Sequence, residues 1–240
     1  MSLTATPDGV LLVDKAAGMT SHDVVALVRR QLQIKKVGHC GTLDPIATGL
    51  LILTLGRGTK IQDLLMSEDK EYVGTLSLGK TTDTQDRAGQ VIDEQPVPEL
   101  DEVTVRAAFD KFRGDFYQMP PMVSAIKQGG VPLYKLARQG KTVEREPRLV
   151  HVYRYGVDRL APPEIDFTVL CSKGFYVRTY AHDIGAELGC GAHLKELRRT
   201  RSGRFDLARS VTVDEIKNAP PVGILEKILT LPEVSRMRGA

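Results

Sequence analysis

The sequence predicts an α+β fold, the pattern of a largely antiparallel, mixed sheet flanked by helices and loops. Apolar and polar residues alternate in 70–79 (KEYVGTLSLG), which is typical of a strand buried on one face. Val24, Val25, Val28 and Leu32 recur at the spacing of an amphipathic helix. Patterns of both kinds occur along the whole chain, which contains no internal repeat.

Each element is predicted from a local pattern. The short apolar run at 9–15 (GVLLVDK) predicts the first strand, and Thr20 and Ser21 offer an N-cap for the helix that ends near Leu32. In chain order, the remaining predictions are a turn and buried strand within 46–55, a helix at 58–66, the strand at 70–79, a loop at 80–100, a helix at 101–113, irregular structure at 115–133, strands at 143–157, 164–172 and 175–178, a helix at 179–188, a short helix at 193–199, a strand at 203–207 and two helices in the tail.

Composition excludes several classes of protein. Hydrophobic residues are 42% and charged residues 26% of the chain, which is typical of a globular domain, and no apolar run is long enough for a transmembrane helix. The N-terminus lacks the basic start and apolar stretch of a signal peptide, so a cytoplasmic location is expected. Three cysteines without a C-x-x-C pair predict no disulfide framework.

No cofactor and no metal are expected. The chain has neither the G-x-x-x-x-G-K-[ST] loop nor the G-x-G-x-x-G fingerprint of nucleotide-binding proteins. His182, Cys190 and His193 do not have the spacing of a common zinc site.

Charge is segregated along the chain, although the net charge is only +3. Segments 135–154 and 191–210 each hold six basic and two acidic residues, whereas 81–102 holds seven acids and one arginine. Such segregation suits a polyanionic partner on one face. Solvated charged faces would give the same pattern, so charge alone leaves nucleic acid and plain solvation both open.

A glycine-rich turn around Asp44 is the first candidate for chemistry. Gly38, Gly41 and Gly49 let the backbone turn tightly or approach a ligand, and Pro45 fixes its own φ. A carboxylate held in such a loop can act as a nucleophile. An Asp-Pro pair also commonly caps a turn, so the loop by itself leaves both interpretations open.

Six segments resemble the TruB-type tRNA pseudouridine synthases and occur in family order between about residues 9 and 205. The segment 38–51 (GHCGTLDPIATGLL) resembles their catalytic motif. The others are Lys15-x-x-Gly18-x-Thr20-Ser21, Lys70-Glu71-Tyr72 with 79–86 (GKTTDTQD), Gln118-x-Pro120-Pro121-x-x-Ser124-Ala125-x-Lys127 with Tyr134-x-x-Ala137-Arg138-x-Gly140, 173–179 (KGFYVRT), and Gly191-Ala192-His193-Leu194-x-x-Leu197-Arg198-Arg199. One departure is Ala16, where the family usually has proline.

The resemblance implies a pseudouridine synthase fold with a catalytic domain at 1–210 and a short helical tail at 211–240. Bacterial members often carry a C-terminal RNA-binding domain of the PUA type. About 30 residues follow residue 210, too few for that module, so no full PUA domain is expected in this chain.

The resemblance also assigns catalytic roles. Asp44 matches the essential aspartate, Arg178 the arginine that pairs with it, and Tyr72 a tyrosine that stacks on the target base. A nearby cation opposes protonation of a buried carboxylate, which is the role expected of Arg178. Taken alone, Arg178 could equally form a surface ion pair and Tyr72 could belong to the core.

Four further residues are expected at the substrate. Tyr176 matches a second contact to the flipped nucleotide, and His39 matches the histidine that fills the gap left by the extruded base. Leu197 matches an apolar residue that lines the uracil pocket, although helix core explains it nearly as well. Lys15 is expected to be structural or to face the RNA.

The expected activity is isomerisation of uridine to pseudouridine at position 55 in the T-loop of tRNA, by an enzyme without cofactor that acts as a monomer on the T-arm. Attack on the uracil ring and attack on the ribose carbon both stay open. Three other functions are considered: a catalytically silent tRNA-binding or tRNA-folding protein, the catalytic subunit of a guide-RNA particle, and a small-molecule enzyme. The segments 135–154 and 195–204 are the candidates for phosphate contact.

Overall fold

The computed structural model describes residues 7–124, 126–137, 139–141 and 143–239. The first six residues, Ala125 and Arg138, which belong to the N-terminal and central segments singled out above, lie outside the described residues. The chain divides into two compact units. Unit one is Met1–Tyr72 with Arg198–Ala240, and unit two is Val73–Leu197.

Strands and helices are mixed along the chain. The strands are β1 (Gly9–Lys15), β2 (Val37–His39), β3 (Thr48–Leu55), β4 (Lys70–Leu78), β5 (Lys80–Thr82), β6 (Val91–Glu94), β7 (Gly114–Gln118), β8 (Lys127–Gln128), β9 (Val131–Pro132), β10 (Arg148–Ala161), β11 (Glu164–Cys171), β12 (Ala192–Ser202), β13 (Phe205–Asp206), β14 (Val211–Thr212) and β15 (Leu229–Thr230). The α-helices are α1 (Ser21–Leu32), α2 (Gln62–Met66), α3 (Glu102–Asp110), α4 (Leu133–Ala137), α5 (Val177–Glu187), α6 (Val213–Asn218), α7 (Pro221–Leu225) and α8 (Leu231–Arg238), and a 3-10 helix spans Gly56–Ile61.

Unit one is built around β1 and β3, which pair antiparallel along the whole of β1. β1 also pairs in parallel with β14, and β3 pairs in parallel with β12 where Gly49 faces Arg199. Nearly every residue in both strands is buried, because both sequences are mostly apolar. Val10, Leu12, Leu50 and Ile52 form one core cluster with residues of β13 and α8. The strands predicted at 9–15 and within 46–55 are therefore confirmed.

Helix α1 begins where the sequence predicts it. The Thr20 hydroxyl accepts a hydrogen bond from the Asp23 backbone N–H (3.1 Å), and the Asp23 carboxylate accepts one from the Thr20 N–H (2.8 Å). This reciprocal pair satisfies two backbone donors that the first helical turn would otherwise leave unpaired. Val24, Val28 and Leu32 are buried on one face of the helix, as their spacing predicts.

Unit two contains the antiparallel strands β10 and β11, with β7 paired to the other edge of β10. Residues alternate between buried and half-buried along β11, so one face of the sheet carries the core. Helices α3 and α5 contribute Phe109 and Tyr180, whose rings pack against Phe167 of β11. The borders between the units fall inside β4 and β12.

The architecture confirms the predicted α+β class. Antiparallel pairs predominate, and the parallel pairs β1–β14 and β3–β12 make the sheet mixed. Within the described ranges, none of the helices combines the length and the apolar composition that crossing a membrane requires.

Five predicted elements are wrong. Residues 115–133 are not irregular throughout, since β7 extends to Gln118 and β8 pairs with β9. Residues 193–199 are not a helix but part of strand β12, which pairs with β3 at Arg198 and Arg199, so tertiary pairing overrides local helix propensity. Residues 175–178 are not a strand, since Tyr176 is the N-cap of α5. The loop predicted at 80–100 contains the hairpin β5–β6. The tail carries three helices in its described part rather than two: α6, α7 and α8.

Candidate active site

Asp44 lies in unit one, in the loop that joins β2 to β3. Gly41 and Gly49 flank this loop with φ of 92° and 96°, a region that side chains rarely tolerate. A Cβ on Gly49 would lie 2.3 Å from the Arg199 carbonyl oxygen. Glycine at 49 therefore allows β3 to approach β12 at the end of the loop.

The backbone is pinned on both sides of Asp44. The Ser21 hydroxyl accepts from the Leu43 N–H (2.9 Å) and donates to the Leu43 carbonyl (3.2 Å), and this hydroxyl is buried. The Gly18 N–H donates to the Pro45 carbonyl (2.8 Å). Asp44 is thus held between two fixed neighbours, so its carboxylate is presented from a preorganised backbone.

Replacing Ser21 with alanine is expected to lower the rate of the proposed reaction more than it weakens RNA binding. The change removes both bonds to Leu43 and leaves a buried N–H unpaired, which costs about 1–3 kcal/mol in the free energy of unfolding. Urea unfolding gives the stability, and single-turnover kinetics give the rate. Ser235→Ala, on the exposed face of α8, is the matched control. A wild-type rate in Ser21→Ala would show that this contact does not position Asp44.

Arg199 holds both ends of the same loop. Its side chain is 1% exposed, and its guanidinium donates from Nε to the Leu50 carbonyl (2.7 Å) and from Nη2 to the Gly41 carbonyl (3.2 Å). The hypothesis that 195–204 contacts phosphate is therefore wrong for Arg199. In the same segment Lys195 pairs with Glu164 and Arg198 with Asp14, so much of this positive charge is balanced within the protein.

Lys15 lies in unit one as a completely buried cation. Its ammonium donates to the carbonyls of Ala16 (2.9 Å) and Met19 (2.7 Å), which shapes the turn that carries Gly18. Burial lowers the pKa of Lys15 to about 8, while the nearby Asp44 carboxylate opposes this decrease. Lys15 and Asp44 are therefore electrostatic neighbours, and the placement of Lys15 favours the structural role over the RNA-facing one.

His39 lies at the end of β2 with its ring partly buried. Burial lowers the pKa of His39 to about 4, with smaller contributions from His22 and Arg199. The His22 ring meets the His39 ring edge-on, with 5.2 Å between the ring centroids. The Nδ1 atom of His39 has no hydrogen-bond partner among the described residues. The ring is consequently neutral near pH 7, which suits a flat polar group rather than a proton switch.

Stability should depend on pH through His39. The pKa of His39 in the folded protein lies below the ordinary histidine value of 6.5, so the unfolded chain takes up the proton first as the pH falls. The contribution of a neutral His39 to the free energy of unfolding is fully present above pH 6.5. The free energy of unfolding should decrease by about 1–3 kcal/mol between pH 6.5 and 4. Urea unfolding at several pH values between 6.5 and 4 measures this decrease. In His39→Gln the free energy of unfolding should depend less on pH over the same range. An unchanged slope in His39→Gln would contradict this assignment.

Tyr72 and Leu197 are strand residues near the unit borders, Tyr72 in unit one on β4 and Leu197 in unit two on β12. Each is 8% exposed, a burial compatible both with core packing and with the wall of a pocket. For Leu197 the alternative of a helix core is wrong, because the residue lies in a strand. Their contacts to substrate stay predictions.

Arg178 lies in unit two, in the first turn of α5, and is 3% exposed. Its guanidinium donates to the carbonyls of Thr84 (2.9 Å) and Val123 (2.6 Å), and Nε lies 3.8 Å from the Asp86 carboxylate. Asp86 also accepts from the Thr84 hydroxyl (2.7 Å) and the Ala88 N–H (2.9 Å). A buried network thus fixes the arginine, and a surface ion pair is excluded as its role.

Sequence reasoning gave no role to Asp86 or to Ser21 as a contact to Leu43. Both residues stand inside segments that resemble the family, and that resemblance is the signal that could have marked them. Arg178 lies 92 residues from Asp86, and Leu43 lies 22 residues from Ser21, so only the fold shows these two contacts. Tyr176, the remaining candidate, is the half-buried N-cap of α5 in unit two.

In the described part of the chain, no group of three or more His, Cys, Asp and Glu side chains is arranged to hold a metal ion. Cys40, Cys171 and Cys190 are free, buried thiols. Burial raises the pKa of Cys40 to about 12, so the thiol beside the Asp44 loop is neutral and a poor nucleophile.

Family models match almost all of the segments singled out above. The model described as the TruB family pseudouridylate synthase N-terminal domain matches residues 29–177. The model described as the tRNA pseudouridylate synthase B C-terminal domain matches residues 178–222. The first match includes Asp44, Tyr72 and Tyr176.

Similar curated proteins carry the name tRNA pseudouridine synthase B. The protein from Opitutus terrae is 56% identical over 222 residues, which cover 92% of this chain and 92% of that protein. The protein from Syntrophotalea carbinolica is 49% identical over 229 residues, which cover 95% of this chain and 75% of that protein.

Solved structures with a similar fold include a crystal structure of a Cbf5-Nop10-Gar1 complex, with 28% identity, a TM-score of 0.75 and 95% of this chain covered. A crystal structure of the archaeal box H/ACA sRNP Nop10-Cbf5 complex matches with 32% identity, a TM-score of 0.66 and 92% of this chain covered. This chain spans 62% and 57% of the lengths of those two chains.

Proposed function

The chain belongs to the TruB family of pseudouridylate synthases, and we propose that it isomerises uridine to pseudouridine at position 55 in the T-loop of tRNA. The observation that carries this proposal is the identity of about half of all residues with proteins named tRNA pseudouridine synthase B, over more than nine-tenths of this chain. The preorganised Asp44 loop supplies the carboxylate that the reaction needs.

The reaction exchanges one bond for another without a net change in composition. The bond from N1 of uracil to C1′ of ribose breaks, the base turns, and C5 joins C1′. The proton on C5 leaves to water, and N1 takes up a proton from water, so the product is an isomer of the substrate. Asp44 acts as the nucleophile, either on the uracil ring or on C1′, and is regenerated when the new bond forms. The pinned backbone at Leu43 and Pro45 supports this role, because a fixed carboxylate loses little freedom on reaching the transition state.

The other site residues are assigned from the family resemblance. Arg178 is the cation that favours the ionised form of the nucleophile. Tyr72 stacks on the target base, and Tyr176 is a second contact to the flipped nucleotide. His39 fills the space that the extruded base leaves, a role supported by its neutral ring.

Leu197 lines the uracil pocket in this proposal. The substrate is the T-arm of tRNA, bound by the chain as a monomer in the cytoplasm. A catalytic domain at 1–210 is followed by a helical tail at 211–240, and in this proposal the catalytic domain itself contacts the RNA. Exposed basic residues such as Lys141 and Arg148 are the candidates for phosphate contact.

The experiment is to incubate the purified chain with a T-arm transcript, without added metal, and to map pseudouridine chemically at single-nucleotide resolution. The proposal expects conversion at the T-loop uridine and at no stem uridine. RNA binding without product at stoichiometric enzyme would overturn the proposal and favour a silent tRNA-binding or tRNA-folding protein.

A further inference from the structure

Helix α5 starts on a residue that is poorly suited to start a helix. The N-cap position favours Ser, Thr, Asp or Asn, whose side chains accept a hydrogen bond from the first turn. Here the N-cap is Tyr176, with φ −109° and ψ 105°, and its side chain makes no capping bond. The backbone of Tyr176 is therefore not held by a capping bond from its own side chain, and other groups must fix it.

Gln118 provides that support from the neighbouring strand. Its Oε1 accepts a hydrogen bond from the Tyr176 N–H (2.8 Å), and its Nε2 donates to the Tyr176 carbonyl (3.0 Å). The same carbonyl also accepts from the Tyr180 N–H (3.0 Å), the first bond of the helix. Both polar backbone atoms of Tyr176 are thus bound by one side chain.

Gln118 is itself firmly placed. It is the last residue of β7, faces Arg148 across the pair with β10, and is 1% exposed. The residues after Gln118 contact the first turn of α5. The Met119 carbonyl accepts from the Thr179 hydroxyl (3.4 Å), and the Val123 carbonyl accepts from the Arg178 guanidinium (2.6 Å). Gln118 therefore links the backbone of Tyr176 to a fixed position at the end of β7.

We propose that Gln118 is a positioning residue for Tyr176, whose backbone it fixes so that the half-buried ring points towards the nucleotide. The direction of a Cα–Cβ bond follows from the backbone, so binding both the N–H and the carbonyl of one residue orients its ring. This role rests on the proposed function. Gln118 is completely buried and does not touch the RNA, so it acts through Tyr176.

The test is a double-mutant cycle on the single-turnover rate with the T-arm transcript. Gln118→Met keeps the volume and removes both bonds, and Tyr176→Ala removes the ring. Gln118→Met alone should slow the reaction on the order of 10–100-fold, because a misplacement of about 1 Å can cost this much, with RNA affinity changed less than about threefold. In the Tyr176→Ala background the same change should slow the reaction less than about twofold further.

Additive effects of the two changes, or a wild-type rate in Gln118→Met, would overturn the role of Gln118. If Gln118→Met does not fold, Gln118→Glu is put through the same cycle, since it keeps the acceptor and loses the donor. Gln95→Met, at an exposed position of unit two, is the control and should leave the rate unchanged. An inactive wild type would overturn the proposed function as well, whereas an active wild type with additive effects overturns only the positioning role.

Discussion

Replacing Asp44 with alanine is expected to abolish turnover while RNA binding stays near that of the wild type. The carboxylate is the only group assigned to attack the substrate, so its loss should slow the reaction by at least about 10³-fold. The backbone of the loop should hold its shape, because Ser21 and Gly18 bind main-chain atoms of Leu43 and Pro45 rather than the Asp44 side chain. Single-turnover kinetics and fluorescence anisotropy with labelled T-arm RNA measure the two quantities.

The control for this prediction is Asp214→Asn. Asp214 is an exposed carboxylate of α6 in unit one, paired with Lys217 at 3.5 Å on the surface. Its replacement should change neither the rate nor the affinity. Normal turnover by Asp44→Ala would show that another group attacks the uridine.

Replacing Arg178 with methionine is expected to impair both folding and activity. The change leaves the buried Asp86 carboxylate without its cation, and the carbonyls of Thr84 and Val123 lose a donor. Removing one partner of a buried pair costs about 3 kcal/mol, although Asp86 retains its bonds to Thr84 and Ala88. The rate should fall on the order of 10²-fold or more, since the variant loses both the proposed site residue and the buried network that fixes it.

Urea unfolding and single-turnover kinetics on the same preparation separate these effects. Arg106→Met removes an exposed arginine of α3 that pairs with Glu102 within the helix, and should cost less than about 0.5 kcal/mol. Arg178→Lys keeps the charge but not the fork of donors, so it should recover stability only in part. An Arg178→Met variant as stable as the wild type would contradict the buried network.

Local patterns predicted the elements whose interactions are local. Strands β1 and β3 are apolar runs buried in the core, and α1 carries its own start signal in Thr20 and Asp23. Strand β12 was missed because its residues favour a helix when taken alone. Its pairing with β3 at Arg198 and Arg199 joins segments about 150 residues apart, a contact that local propensity does not show.

The sequence indicates the position of charged side chains less well than the position of apolar ones. Lys15, Arg178 and Arg199 are 0–3% exposed, although lysine and arginine side chains normally lie on a solvated surface. Each instead donates to backbone carbonyls, two for each side chain. For Arg178 and Arg199 the sequence does not show which carbonyls these are, because the partners come from distant segments.

The candidate site shows the same division. The family resemblance marked the loop around Asp44, but the contacts that hold it, from Ser21 and Arg199, depend on the fold. Gln118 illustrates this most clearly, since its partner Tyr176 lies 58 residues further along the chain. Residues that position catalytic groups are therefore harder to predict than the catalytic groups themselves.

In the proposed function, a preorganised Asp44 drives isomerisation of a tRNA uridine. A T-arm RNA with tritium on C5 of the T-loop uridine tests it directly, because forming the bond from C5 to ribose releases that hydrogen to water. At stoichiometric enzyme, the wild type should release one equivalent of tritium per RNA and Asp44→Asn none, with both proteins binding the RNA. Release by Asp44→Asn at the wild-type rate, or no release by the wild type, would contradict the claim.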